Sequence, residues 1–274
     1  MKDCPSSQLQ ITNAQRQKFK DDGFLSSIPI LSLDEVLDIR DRVDHISQNL
    51  SKYESQLYEV EATHSERPDE VICHFLGVWL IDSKLRELVY DPRLTEPAAQ
   101  LLEVERLRFW HDQVFYKPAM HPGVVPWHQD YSYWTRVAPA KHITINLMLD
   151  DADEKNGCLQ FIPGSHRWGL LPSLPFDSPL EKIRELLSDE QAAVFQPQFA
   201  PVPAGSATFH HSHTLHGSAG NRSQRPRRAL VINYMCAQTR VADDTQPLLR
   251  FAPHLPVGAL VEGELFPIVL PRQD

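Results

Sequence analysis

A chain of 274 residues with 27 basic and 36 acidic side chains has a formal charge of −9, which leaves no basic excess for binding a nucleic-acid backbone. Its 42% hydrophobic and 23% charged residues are those of a globular protein and exclude a disordered or fibrous one. The 13 histidines point toward metal, because neutral imidazole is the commonest transition-metal ligand.

The first hundred residues read as helical. Asn13 to Asp22 is a short polar helix ended by Gly23. Ser32-Leu-Asp-Glu35 is a capping box, followed by Leu33, Val36, Ile39, Val43 and Ile46 at helical spacing. Leu80–Tyr90 and Leu94–Leu102 are two further expected helices, and Ser51–Asp69 is polar and expected to be a loop. From about residue 104 the pattern turns to short β-rich runs punctuated by proline and glycine: Leu107–Tyr116, Ile143–Leu149, Leu159–Ile162, Ser206–His210 and Ala229–Met235. One helix is expected to interrupt them at Ser178-Pro-Leu-Glu181, which combines a capping box with proline at the first helical position. Many short strands with turns between them predict a mainly β fold, a double-sheet jelly roll with flanking helices. No linker composition separates the parts. A single domain over 1–274 is therefore expected, with a helical part to about 103, a β core over 104–236 and a tail over 237–274.

Cysteines stand at 4, 73, 158 and 236 with no CxxC pair, so free thiols in a reducing compartment are expected. The opening MKDCPSSQLQ has no apolar signal core. The longest apolar stretch, Phe75–Ile81, is far short of the ~20 residues needed to span a bilayer. A cytoplasmic protein with no membrane and no nucleic-acid partner is the expectation.

The chemistry concentrates in Trp127-His128-Gln129-Asp130. On a strand, His128 and Asp130 share a face and can converge on one ion. Downstream, His216-Gly-Ser-Ala-Gly-Asn221 and Arg225-Pro-Arg227-Arg228 read as strand, turn and return strand. His216 then supplies a third ligand, with His210, His211 and His213 as nearby alternatives. Two imidazoles and one carboxylate on one face of an ion form the facial triad of non-haem Fe(II) oxygenases. Alternation puts Arg227, Ala229 and Val231 on the metal-facing side. A buried arginine there needs an anionic partner, and a dicarboxylate chelating the metal at its other end satisfies it.

Together these stretches resemble the phytanoyl-CoA dioxygenase family of Fe(II)- and 2-oxoglutarate-dependent oxygenases. The resemblance rests on GFL at 23–25, DQVFYKP at 112–118, WHQDYSYW at 127–134, LDDADEKNGCLQFIPGSHRWG at 149–169 and HGSAGNRSQRPRRAL at 216–230. It implies a double-stranded β-helix core, iron on His128, Asp130 and His216, and Arg227 on the distal carboxylate of 2-oxoglutarate. Gln113, Asn146 and Ser218 are implied to line the cosubstrate pocket, although many relatives carry Trp where this chain has Asn146. The carboxylate of Asp130 favours hydroxylation over halogenation, since related halogenases have a small residue there. The implied reaction consumes O2 and 2-oxoglutarate, releases succinate and CO2, and hydroxylates a C–H bond of a small-molecule metabolite.

Tyr131, Tyr133, Trp134, Arg136, His213 and Trp168 are the candidates for substrate contact, each weighed against a packing or surface role. Lys117, His111, His121 and His142 are expected to be structural. Two other functions fit part of the pattern. A cupin-like Zn(II) hydrolase or isomerase explains the ligands but gives Arg227 no task, and a non-catalytic 2-oxoglutarate sensor shares all of them. A monomer or homodimer is expected.

Overall fold

The computed structural model describes residues 10–271. In chain order the elements are α1 (Asn13–Asp22), β1 (Phe24–Pro29), α2 (Leu33–Gln48), α3 (Leu50–Tyr53), β2 (Glu59–Val60), α4 (Ala62–Glu66), β3 (Cys73–Leu76), α5 (Ser83–Leu88), α6 (Pro92–Leu102), β4 (Leu107–Lys117), β5 (Val125–His128), β6 (Val137–Ala138), β7 (His142–Met148), β8 (Leu159–Phe161), α7 (Asp189–Ala193), β9 (Gln198–Ala200), β10 (Ser206–His211), β11 (His216–Ser218), β12 (Arg227–Cys236), β13 (Arg240–Val241) and β14 (Ile268–Leu270).

The strands build a large antiparallel sheet in the order β1-β10-β7-β12-β4-β3-β2, with β14 also paired to β4, and a smaller sheet in the order β5-β11-β8-β9. This is the double-stranded β-helix, or jelly roll, expected from the sequence. Alternation gives each face of the large sheet its task. Ile143, Ile145 and Leu147 of β7 and Leu230, Ile232 and Tyr234 of β12 join α2 and α6 in the main apolar core. Their neighbours Thr144, Asn146 and Val231 face the other way, into the space between the sheets. Phe24 of β1 stacks on Phe161 of β8 at 4.3 Å and closes one side of that space.

The helix signals act as read at α1 and α2. Thr12 and Ser32 each form a complete capping box, and Gly23 ends α1 at φ +86°. Val36, Ile39, Val43 and Ile46 are buried, whereas Leu33 is 67% exposed on the first turn of α2. The expected helix over Leu80–Tyr90 shortens to α5, because Asp82 accepts from Lys84 and Leu85 and starts the helix there. Ser51–Asp69 is not all loop, since it holds the end of α3, β2 and α4. The expected helix at Ser178–Glu181 is instead a 3-10 turn over Leu180–Glu185, with Pro179 at the cap position and no side-chain cap bond. Helix α7 follows, capped by Ser188.

The N-terminal part is less purely helical than expected, because β1, β2 and β3 extend the large sheet. Their signals are weak for a physical reason. In β1 the register shifts between Leu25 and Ile28 while Ser27 adopts φ +57°, which breaks the alternation. Strand β3 is buried nearly throughout and β2 has two residues. The thiols of Cys73, Cys158 and Cys236 are free and buried, and Cys4 lies outside the described residues. No helix among the described residues is long and apolar enough to cross a membrane.

Candidate active site

Three side chains meet between the sheets. Strand β5 ends at His128, the chain turns in a 3-10 segment over Asp130–Tyr133, and β11 begins at His216. The register sets His216 directly against His128, and their ring centroids lie 4.2 Å apart. Asp130 is not a continuation of the strand. The turn after Gln129 brings it back, so Asp130 Oδ1 stands 3.3 Å from His128 Nε2 and 3.7 Å from His216 Nε2. Donor atoms of all three lie within 4.8 Å of one another.

The surroundings prepare these atoms for a cation. His128 Nδ1 donates to the Pro126 carbonyl at 2.8 Å and His216 Nδ1 to that of Thr214 at 2.9 Å. Each bond fixes the tautomer and leaves the Nε2 lone pair free. Burial pushes His216 well below the ordinary imidazole range and keeps it neutral. Burial alone would raise Asp130, but His216, His128 and His210 outweigh it and hold the carboxyl well below its ordinary range. Its second oxygen is already engaged, accepting from the Thr144 hydroxyl and from His210 Nε2 at 3.1 Å. His210, an alternative ligand on spacing alone, therefore orients Asp130.

The triad opens into a cavity of about 350 Å³ that Arg227 also lines. Arg227 is 2% exposed, and its Nε and Nη1 find no hydrogen-bond partner in the protein. Burial lowers its pKa to about 10. Its cross-strand neighbour is the fully buried Lys117, which burial and Arg227 push well below the usual lysine range. Lys117 donates to Ser218 Oγ at 2.8 Å and to the carbonyls of Ser218 and Ala219. The protein thus carries a buried guanidinium with bare N–H groups beside a three-ligand cluster, an arrangement that fits a chelating dicarboxylate.

Other expected site residues fall into two sets. Gln113, Asn146, Tyr133, Trp134 and Arg136 line the cavity. Gln113 Oε1 accepts from His74 Nε2 at 2.8 Å, and the Asn146 amide reaches only Met148 Sδ at 3.5 Å. The Arg136 guanidinium is spent on the carbonyls of Gln246, Pro247 and Leu248. Outside the lining, Ser218 is held by Lys117, the Tyr131 hydroxyl donates to the Val137 carbonyl at 2.6 Å, and the His213 ring lies against that of Tyr131. Trp168 packs with Trp127 and Leu171 in a separate apolar cluster. Lys117 sits behind the cavity and ties down the turn after β11. Sequence reasoning missed Thr144 as an Asp130 partner, along with the wall formed by Glu59, Glu61, His74, Phe115 and Phe176.

A model of the phytanoyl-CoA dioxygenase family matches residues 19–229. The chain belongs to this family. It is 28% identical over 247 residues to the L-proline trans-4-hydroxylase of Streptomyces griseoviridis, covering 82% of this chain and 87% of that one. It is 26% identical over 228 residues to the methylphosphonate hydroxylase of Gimesia maris, covering 82% and 80%. Among solved structures, the non-heme alpha ketoglutarate dependent carbocyclase SnoK of nogalamycin biosynthesis superposes with a TM-score of 0.77 at 21% identity, covering 97% of this chain and 99% of that one. EctD from S. alaskensis, solved with 2-oxoglutarate and 5-hydroxyectoine, gives 0.69 at 22% identity over 84% and 78%. These structural likenesses establish the shared jelly-roll fold.

Proposed function

We propose that His128, Asp130 and His216 hold Fe(II), and that Arg227 pairs with the distal carboxylate of 2-oxoglutarate. The enzyme is an Fe(II)- and 2-oxoglutarate-dependent dioxygenase that hydroxylates a C–H bond of a small-molecule metabolite, releasing succinate and CO2. The observation that carries this reading is Arg227, a buried cation with unpartnered N–H groups in the same cavity as the triad. A buried charge without a partner is expensive, and a bound carboxylate offsets that expense.

When bound, Fe(II) and 2-oxoglutarate supply the O2-activating chemistry. The chain supplies positioning. The Pro126 and Thr214 carbonyls hold both imidazoles in the coordinating tautomer. Thr144 and His210 leave one Asp130 oxygen for the metal. Lys117 holds Ser218 close behind Arg227, and Gln113 and Asn146 face the cosubstrate space. The aromatic walls exclude water from the reacting centre.

A Zn(II) hydrolase or isomerase on these ligands leaves Arg227 without a task, and a 2-oxoglutarate sensor leaves the remaining cavity without one. The proposal extends to a single domain, supported by β1 and β14 sharing one sheet. It includes cytoplasmic residence, supported by free buried thiols, and a monomer or homodimer that light scattering would read. The catalytic test is succinate formation, measured with Fe(II) or Zn(II), with and without 2-oxoglutarate and O2. Succinate only with Fe(II), 2-oxoglutarate and O2 together supports the proposal. Turnover of a substrate with Zn(II) alone refutes it.

A further inference from the structure

We infer that the substrate carries a protonated nitrogen, an ammonium or amidinium group, held at the cavity mouth by Glu59 and Glu61. The inference rests on the reading of the cavity as the substrate site of this dioxygenase. It begins with register. Strand β2 is the edge of the large sheet, with Glu59 opposite Leu76, and the Glu61 N–H donates to the His74 carbonyl at 2.9 Å. His74 in turn lies opposite Phe115 on β4, and Leu76 opposite Gln113. Cross-strand partners, and residues two apart on one strand, share a face. All six of these side chains line the cavity. The wall that begins near the triad therefore ends in two carboxylates.

Neither carboxylate has a cationic partner among the described residues. Glu61 accepts from the Thr63 N–H at 3.1 Å. Glu59 is raised above its ordinary range by burial and by Glu61. Arg136 also lines the cavity, but its Nη1 and Nη2 are turned to the tail carbonyls and it forms no ion pair with either glutamate. Like charges two residues apart repel, and a cation between them removes the repulsion.

His74 points independently to the same ligand. It is 8% exposed, and its Nε2–H is donated to Gln113. Burial lowers its pKa to about 4, so the ring is neutral. Its Nδ1 is then a buried acceptor with no donor in the protein. Two carboxylates and one bare imidazole nitrogen ask for N–H donors. The ring itself is stacked between Phe115 and Phe176, at 4.3 and 5.1 Å. Aromatic faces beside carboxylates suit an organic cation. The cavity is thus polarised, with Arg227 at the cosubstrate end to take an anion and the glutamates at the mouth to take a cation.

The test compares three probes of one skeleton: cyclohexylamine, cyclohexanol and cyclohexanecarboxylate. Each is titrated by NMR against the protein loaded with Zn(II) and 2-oxoglutarate, which is inert to O2. The amine is expected to bind about tenfold more tightly than the alcohol. Glu59→Gln/Glu61→Gln should make amine and alcohol equal, and Glu59→Lys/Glu61→Lys should turn the preference toward the carboxylate. Glu59 is exposed and Glu61 half-buried. Glutamine at 61 can still accept from the Thr63 N–H that caps α4, whereas lysine cannot, so 2-oxoglutarate affinity in each variant serves as the check that it is folded. An amine that binds no better than the alcohol overturns the inference, as does an amine preference that survives the double glutamine variant. The cosubstrate reading is checked separately by 2-oxoglutarate affinity in the same samples. If 2-oxoglutarate binds and the probes are not distinguished, this inference alone fails. If the amine preference holds while 2-oxoglutarate does not bind, the cosubstrate reading fails, and what survives is a cation site at Glu59 and Glu61.

Discussion

Replacing Arg227 with Met should move stability and cosubstrate affinity in opposite directions. In the free protein the guanidinium is buried with two N–H nitrogens unpartnered and the buried amine of Lys117 across the strand pair. Burial pulls the Arg227 pKa below the usual arginine range, to about 10, and that depression reflects what burial takes from the charged form. At ~1.4 kcal/mol per unit, holding the charge at neutral pH costs roughly 3 kcal/mol. The sign follows: stability is reduced at every pH below about 10 and recovers only as pH rises above the folded value. A methionine of similar length removes the charge and keeps the packing, so the cosubstrate-free protein should gain about 1–3 kcal/mol. With 2-oxoglutarate the same substitution deletes one partner of a desolvated pair. That loss is about 2–5 kcal/mol, or roughly thirtyfold to a few thousandfold in Kd. Urea unfolding and calorimetric titration against the Zn(II)-loaded protein measure the two effects. The adjacent Arg228 is the control, because it faces the opposite way and is paired with Asp44 and with Asp150 at 2.8 Å. Arg228→Met should destabilise the protein and leave 2-oxoglutarate affinity unchanged. An Arg227→Met protein that is less stable and still binds 2-oxoglutarate normally would refute the reasoning.

Three further outcomes are expected. Thr144→Val removes a hydroxyl that donates to Asp130 Oδ2 and should lower metal affinity about 10- to 100-fold, read by competition with a chelator. Gln129→Ala removes bonds to the Gly169 and His213 carbonyls and to the Leu171 N–H and should destabilise the protein by about 2–4 kcal/mol in urea. Asp112 accepts from the Gly77 and Trp79 N–H groups, while burial raises its pKa from 3.8 to about 7. The folded state thus holds its proton more tightly than the unfolded chain. Stability from this group is full below pH ~4 and is lost as pH rises through 7. Asp112→Asn should flatten that part of the stability-against-pH curve.

Much of the site was legible because it is built from rigid local patterns. The strand β12 follows strict alternation, and that alone puts Arg227 on the face of Ala229 and Val231 and sends Arg228 to the other. His128 ends β5 and His216 begins β11, and the Gly- and Asn-containing stretch at 217–221 marks the turn after His216 plainly. Asp130 was found for a different reason from the expected one, since a 3-10 turn and not the strand pleat returns it to the metal side. What stayed hidden depends on distant pairing. Glu59 belongs to a two-residue strand, too short for any periodicity, and Glu61 follows it as the cap of α4; they reach the cavity only because β3 and β4 place them there. His210 was visible as a ligand candidate, but its role was decided by the crossing of the two sheets. Tyr131 and His213 stand close to ligands in sequence, and Trp168 follows the turn at Pro163–His166, yet none of the three lines the cavity. Their side chains turn away because the tight turns reverse direction within one or two residues.

The most direct test of the central claim is the visible spectrum of the protein mixed anaerobically with Fe(II) and 2-oxoglutarate. A metal-to-ligand charge-transfer band should form in the native protein, should be lost in His128→Ala, and should require far more 2-oxoglutarate in Arg227→Met. No band in the native protein, or an unchanged band in His128→Ala, would contradict the assignment of this site.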